Sequence, residues 1–216
     1  MLIQDIMHHP VVTIQATAPV HEAFAQMHEH TIRHLPVVDA KDTLVGIVTD
    51  RDIRYATSAL TDKPVARNDA VHTVMSKPPI TAGPRDPVED AARTLRQERI
   101  GALPVVEGDA LVGIITGTDL LDAVLRLTGL EKPGSRLAVA LPDEPGQLAA
   151  LTARVADEGL DIHSVLSYYE PSEGDKPASH LNVILRIDTM NVRPLAAALR
   201  EEGFQVRWPL DKPTGT

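Results

Sequence analysis

The sequence predicts a mixed α/β (α+β) chain in two parts, and three observations carry that reading. The first half repeats itself. A stretch dense in Gly and Pro then interrupts the chain. Beyond it, strand-like alternation and helical spacing take turns in the order βαββαβ.

The repeat appears when the chain is slid along itself by 68 residues. Met7 then falls on Met75, Pro10 on Pro78, Thr13 on Thr81, Pro19-Val20 on Pro87-Val88 and Ile32 on Ile100. Leu35-Pro36-Val37-Val38 meets Leu103-Pro104-Val105-Val106. One deletion near Lys41-Asp42 shifts the offset to 67, and Leu44-Val45-Gly46-Ile47 meets Leu111-Val112-Gly113-Ile114, Thr49 meets Thr116 and Asp52 meets Asp119. The repeats span 3–56 and 71–125, within a first part of 1–128.

Each copy reads as strand, helix, strand, strand, helix. Val20, Ala23, Phe24 and Met27 recur at helical spacing, as do Val88, Ala91, Ala92 and Leu95. Asp86 reads as the N-cap of the latter helix, with Pro87 at its first position. Leu-Pro-Val-Val is a short apolar strand, and the apolar run Leu-Val-Gly-Ile predicts a second strand buried on both faces. Asp52 and Asp119 fall in the first turn of the closing helix, which in the second copy runs through Leu120, Leu121, Val124 and Leu125.

Gly46-Ile47-Val48-Thr49-Asp50-Arg51-Asp52 and Gly113-Ile114-Ile115-Thr116-Gly117-Thr118-Asp119 resemble the signature of CBS domains. The Leu-Pro-Val-Val strand and the leading Met-x-x-Pro resemble that family as well. The resemblance implies two copies packed by their sheets, with two clefts for a regulatory adenine ligand: AMP, ADP, ATP, S-adenosylmethionine or NAD. It implies no required cofactor. The residue types suit such a ligand. A carboxylate can accept from both ribose hydroxyls, and a threonine hydroxyl can donate to phosphate. A helix N-terminus favours an anion, and Arg51 adds a planar cation where the second copy has neutral Thr118.

The resemblance also implies that each cleft is built across the repeats. One would combine Thr49, Arg51 and Asp52 with Ile80, Ile100, Gly101 and Ala102. The other would combine Thr116, Thr118 and Asp119 with Val12, Ile32, Arg33 and His34. Taken singly, an Asp at a helix start is also an ordinary cap and a Thr at a strand end an ordinary strand former.

The stretch 129–134 reads as a linker. After it, Arg136 to Leu141 alternates as a strand, Gln147 to Glu158 is a helix closed by Gly159, and Ile162 to Tyr169 is a strand. On that helix Leu148, Leu151, Val155 and Ala156 share the apolar face. Pro171 to Ser179 is a polar loop, Leu181 to Ile187 a strand, Val192 to Glu202 a helix and Phe204 to Trp208 a last strand. This βαββαβ order is ferredoxin-like. It fills 135–208 and leaves 209–216 as a tail.

Asp143-Glu144-Pro145-Gly146-Gln147-Leu148 and Gly159-Leu160-Asp161-Ile162 resemble the ACT domain pattern. That resemblance implies dimerisation, or an amino acid bound at an interface near Asp143, Gly146, Asp161 and Ile162. Both Asp143 and Asp161 stand where amino-acid-binding members often carry Asn. Ionised carboxylates accept but do not donate, so they would repel a ligand's carboxylate. Together the two parts resemble the acetoin-utilisation protein B family, whose regulated target is undefined.

The remaining features narrow the function. A net charge of −9 with no basic run argues against nucleic-acid and anionic-membrane binding. There is no Cys, no apolar run long enough to span a bilayer and no signal-peptide pattern at Met1 to Asp5. These features predict a cytoplasmic protein. The His residues at 21, 28, 30 and 34 lack metal-ligand spacing, and no catalytic set or P-loop occurs. The predicted function is therefore a non-enzymatic metabolite sensor acting as a homodimer on an unidentified protein. A ligand-free interaction scaffold and a slow nucleotide hydrolase are the alternatives.

Overall fold

The computed structural model describes residues 1–170 and 180–210. The predicted loop at 171–179 and residues 211–216 of the tail lie outside the described residues. The chain divides into two compact units, Met1–Ala123 and Val124–Thr216.

In the first unit, repeat one contains β1 (Ile14–Gln15), α1 (Val20–Glu29), β2 (His34–Val38), β3 (Leu44–Thr49) and α2 (Asp50–Ala56). Its sheet runs β1-β2-β3, with β1 parallel and β3 antiparallel to β2. Repeat two contains α3 (Val88–Glu98), β4 (Ala102–Glu107), β5 (Ala110–Thr116) and α4 (Gly117–Leu127). Its predicted first strand shrinks to a single parallel bridge, Ala82 to Val105.

Burial separates core positions from apolar positions that only share the spacing. Val20, Ala23 and Met27 bury the inner face of α1, whereas Phe24 is half-exposed with the Arg54 guanidinium 5.8 Å from its ring centroid. On α3, Val88, Ala91 and Leu95 are buried and Ala92 is exposed. On α4, Ala123 is buried while Leu121, Val124 and Leu125 face outward. In β5 both Ile114 and Ile115 are buried, so that strand is covered on two faces; in β3 Val48 is fully buried but Ile47 only partly.

Asp86 does not cap α3. The N-cap is Pro87, and the Asp86 carboxylate instead accepts from the Gly83 N–H at 2.7 Å, closing the turn ahead of the helix. The short side chain satisfies the nearer donor, as Asp commonly does in turns.

The leading segment of each repeat is built into the other. Ile3, fully buried, joins Ala91, Leu95, Leu103, Val105 and Ile115 in the core of repeat two, and Met7 packs against the same cluster. Val71, also fully buried, joins Ile14, Val20, Leu35, Val37 and Val48 in repeat one, with Met75 packed alongside. Backbone bridges fix the exchange: His8 pairs with Ile114 of β5, and Ser76 pairs with Ile47 of β3. The motif glycines make room for it. A Cβ on Gly113 would collide with the Met7 sulfur, and one on Gly46 with the Met75 sulfur and the Ser76 carbonyl.

The second unit contains β6 (Ser135–Pro142), α5 (Gln147–Asp157), β7 (Ile162–Tyr169), β8 (His180–Ile187), α6 (Arg193–Glu201) and β9 (Gln205–Trp208). The sheet order is β7-β8-β6-β9, with every pair antiparallel. That is the ferredoxin-like order the pattern predicted. Leu137, Val139 and Leu141 of β6 alternate onto a core with Leu151, Val155, Val183, Leu185, Ile187, Leu195 and Leu199. Leu148 and Ala156, predicted on the apolar face of α5, are exposed. Arg154 joins the two helices, with its Nε 2.8 Å from Glu202 and an Nη 2.9 Å from Glu158.

Candidate functional site: two clefts of the first unit

Each repeat closes with the same local structure. Thr49 ends β3 in extended backbone, so it becomes the N-cap of α2. Its hydroxyl accepts from the Asp52 N–H at 3.1 Å, while Asp52 Oδ2 accepts from the Thr49 N–H at 2.9 Å and the Thr49 hydroxyl at 2.8 Å. Thr116 and Asp119 repeat this: Oδ2 accepts from the Thr116 N–H at 2.7 Å and from its hydroxyl at 2.8 Å. The reciprocal box satisfies two backbone donors that a helix start would otherwise leave bare. It spends Oδ2 of each carboxylate.

The exchanged segments carry the predicted apolar residues past these motifs. The chain runs from Ser76, paired with β3, to Ala82, paired with β4. Ile80 lies between and is exposed. Its counterpart Val12 lies between His8, paired with β5, and Ile14, paired with β2. Ile100 is exposed like Ile80, whereas Val12 and Ile32 are part-buried against the core of repeat one.

The strand register adds neighbours that the sequence assignment did not group. His34, assigned with Thr116 and Asp119, sits opposite Thr49 in the β2–β3 register. The Arg33 carbonyl accepts from the Asp50 N–H at 3.1 Å. The backbone of Arg33 and His34 therefore runs beside Thr49 and Asp50. The His34 imidazole also lies against Gly101, where a Cβ would overlap it. Ala102, assigned with Thr49, sits opposite Thr116, and the Gly117 N–H donates to the Gly101 carbonyl at 3.1 Å. Thr118 and Arg51 are exposed. The residues that border the first motif along its own hairpin and helix are Arg33, His34 and Arg51, while the aligned positions of repeat two are Gly101, Ala102 and Thr118.

Burial holds the His34 pKa below its ordinary 6.5, and neighbouring Arg33 lowers it further; Asp50 and Asp52 oppose the shift only in part. The folded state thus resists protonating His34. Stability from its neutral form is complete above about 6.5 and is lost as the pH falls from there toward the depressed value. Urea unfolding across that window is expected to show a steeper acid loss for the wild type than for His34→Gln. Parallel profiles would contradict it.

One contact was not anticipated. His8 Nε2 lies 2.8 Å from Asp119 Oδ1, and the Asp119 side chain is only 7% exposed. The only sequence signal was alignment of His8 with Ser76, an unlike pair inside the repeat.

A family model described as CBS domain matches residues 3–59 and 71–126. The chain belongs to the CBS domain family. A CBS domain-containing protein of Dictyostelium discoideum is 32% identical over 139 residues, which are 59% of this chain and 93% of that protein. A homoserine O-acetyltransferase of Methanohalobium evestigatum is 35% identical over 119 residues, but the match spans 55% of this chain and only 23% of that enzyme. Among solved structures, a CBS domain pair in complex with 5'-methylthioadenosine and S-adenosyl-L-methionine matches at 30% identity and a TM-score of 0.53, over 61% of this chain and 98% of that one. A protein described as acetoin utilization protein AcuB, from Vibrio cholerae, matches at 31% and 0.53, over 62% and 98%. CBSX2 in complex with AMP matches at 26% and 0.53, over 58% and 97%. CBS pairs similar to this one thus bind adenosyl ligands.

In the second unit the predicted ACT residues fall at opposite ends of the sheet. Asp143 and Gly146 follow the end of β6, and Asp143 accepts from the Tyr169 hydroxyl at 3.0 Å, which raises the phenol's pKa. Gly146 caps α5 with φ at 92°, a backbone that suits glycine. Asp161 and Ile162 lie where β7 begins, beside Ile187 and so level with Ser135 at the start of β6. An eight-residue strand separates the groups by roughly 20–25 Å. No helix among the described residues is long and apolar enough to cross a membrane.

Proposed function

We propose that this chain is a regulatory sensor of adenosyl ligands such as AMP, ADP, ATP, S-adenosylmethionine or NAD, bound in the clefts of its CBS pair. The observation that supports this most is the first cleft. Asp52 Oδ1 has no hydrogen-bond or ion-pair partner among the described residues. It stands ready for ribose hydroxyls, the exposed Ile80 and Ile100 offer apolar surface to a purine, and Arg33, His34 and Arg51 offer donors to phosphate. Similar CBS pairs carry AMP, methylthioadenosine or S-adenosylmethionine.

The ferredoxin-like unit is assigned the ACT role, pairing with a second copy rather than binding an amino acid within one chain. The separation of Asp143 and Asp161 supports this, because one small ligand cannot reach both ends of the sheet. The regulated target is another protein.

Mass spectrometry of small molecules released from the native protein tests the reading, together with melting in the presence of each candidate ligand. A ligand at about 100 times its Kd is expected to add about 2.7 kcal/mol of stability. A chain that releases no adenosyl compound and melts unchanged with all five would refute it. ATP turnover under the same conditions would favour the hydrolase alternative.

A further inference from the structure

We propose that His8 latches the second cleft, so that the two clefts fill in order, the first before the second. The inference rests on the adenosyl reading above and adds the residue that makes the clefts unequal.

His8 and Ser76 hold the same place: each precedes a Pro by two residues and forms an antiparallel bridge to the isoleucine that follows its motif glycine, Ile114 and Ile47. Each therefore stands at the edge of one Thr/Asp motif. The side chains differ in reach. The imidazole of His8 extends to Asp119 Oδ1 at 2.8 Å, while Thr116 occupies Oδ2. Both oxygens of Asp119 are then engaged, and the residue is buried. Among the described residues no such contact from Ser76 reaches Asp52, and Asp52 Oδ1 has no partner.

A ribose entering the second cleft must displace the imidazole from the acceptor it needs. His8 is mostly exposed, at 70%, so it can swing into solvent. The latch lowers affinity without abolishing the site. An exposed partner on a buried carboxylate sets a modest penalty, about three- to tenfold in Kd.

Calorimetric titration of the full chain with AMP tests this in three proteins. The wild type is expected to bind one AMP tightly and a second more weakly. His8→Ser, which copies the open repeat, is expected to strengthen the weak step about three- to tenfold and leave the tight one alone. Ser76→His is expected to weaken the tight step by a similar factor. In the wild type, the imidazole nitrogen resonances of His8 are expected to shift during the second equivalent only. Stepwise affinities unchanged in both variants, or His8 resonances that move with the first equivalent, would overturn the latch. AMP binding to none of the three would overturn ordered filling by AMP; the adenosyl reading itself falls only if the other four ligands also fail to bind.

Discussion

Replacing Ile3 with alanine is expected to destabilise the second repeat, far away in sequence, by about 2–5 kcal/mol, and to leave the first repeat's own core untouched. Ile3 is fully buried among Leu95, Leu103, Val105 and Ile115, all beyond the linker between the repeats. Truncation removes the transfer energy of its side chain and leaves a cavity that rigid strands cannot fill. Hydrogen exchange checks the location: protection should fall first in α3, β4 and β5. Val71→Ala is the reciprocal test and should weaken β1 to β3, because Val71 is fully buried in the other cluster. Loss of protection in the repeat that each residue precedes would contradict the exchanged arrangement.

Asp52→Ala is expected to cost two separable things. Deleting the carboxylate breaks the capping box at α2, worth about 1 kcal/mol of stability. It also removes the open ribose acceptor. A hydrogen bond to a charged group contributes about 1.5–3 kcal/mol, so affinity at the first cleft should fall about 10- to 100-fold. Asp52→Asn separates the effects. Its amide oxygen can still accept in the cap, but the charge is gone, so stability should recover more than affinity. Equal recovery of both would mean that Asp52 serves the helix alone.

Much of this was legible in the sequence because the repeat announces itself twice. Thr49 and Asp52 lie three apart at a strand-to-helix boundary, which is the spacing of a capping box. The same pair recurs at Thr116 and Asp119. The second unit was legible from alternation in β8, where Val183, Leu185 and Ile187 are buried and Ile184 and Arg186 less so, whereas in β6 the whole run Leu137 to Leu141 is buried. The exchange of leading segments was not legible. Both sheets offer the same apolar partners and the same motif glycine, so Met7 and Met75 fit either repeat equally by pattern. The connection between Ala56 and Val71 stays on repeat one, where the Val20 and His21 N–H groups donate to the Asp69 and Arg67 carbonyls. The grouping of Arg33 and His34 with Thr49 was hidden for a related reason. It follows from the β2–β3 register, and register depends on a hairpin pairing that spacing alone does not fix. His8 escaped notice because its role depends on reach across the exchange.

Equilibrium dialysis of the full chain against labelled AMP and S-adenosylmethionine, run in parallel with Asp52→Ala, tests the central claim most directly. The account predicts saturable binding of at least one of them to the wild type, with the tighter site lost in the variant. Absence of saturable binding in the wild type, or identical isotherms for the two proteins, would contradict it.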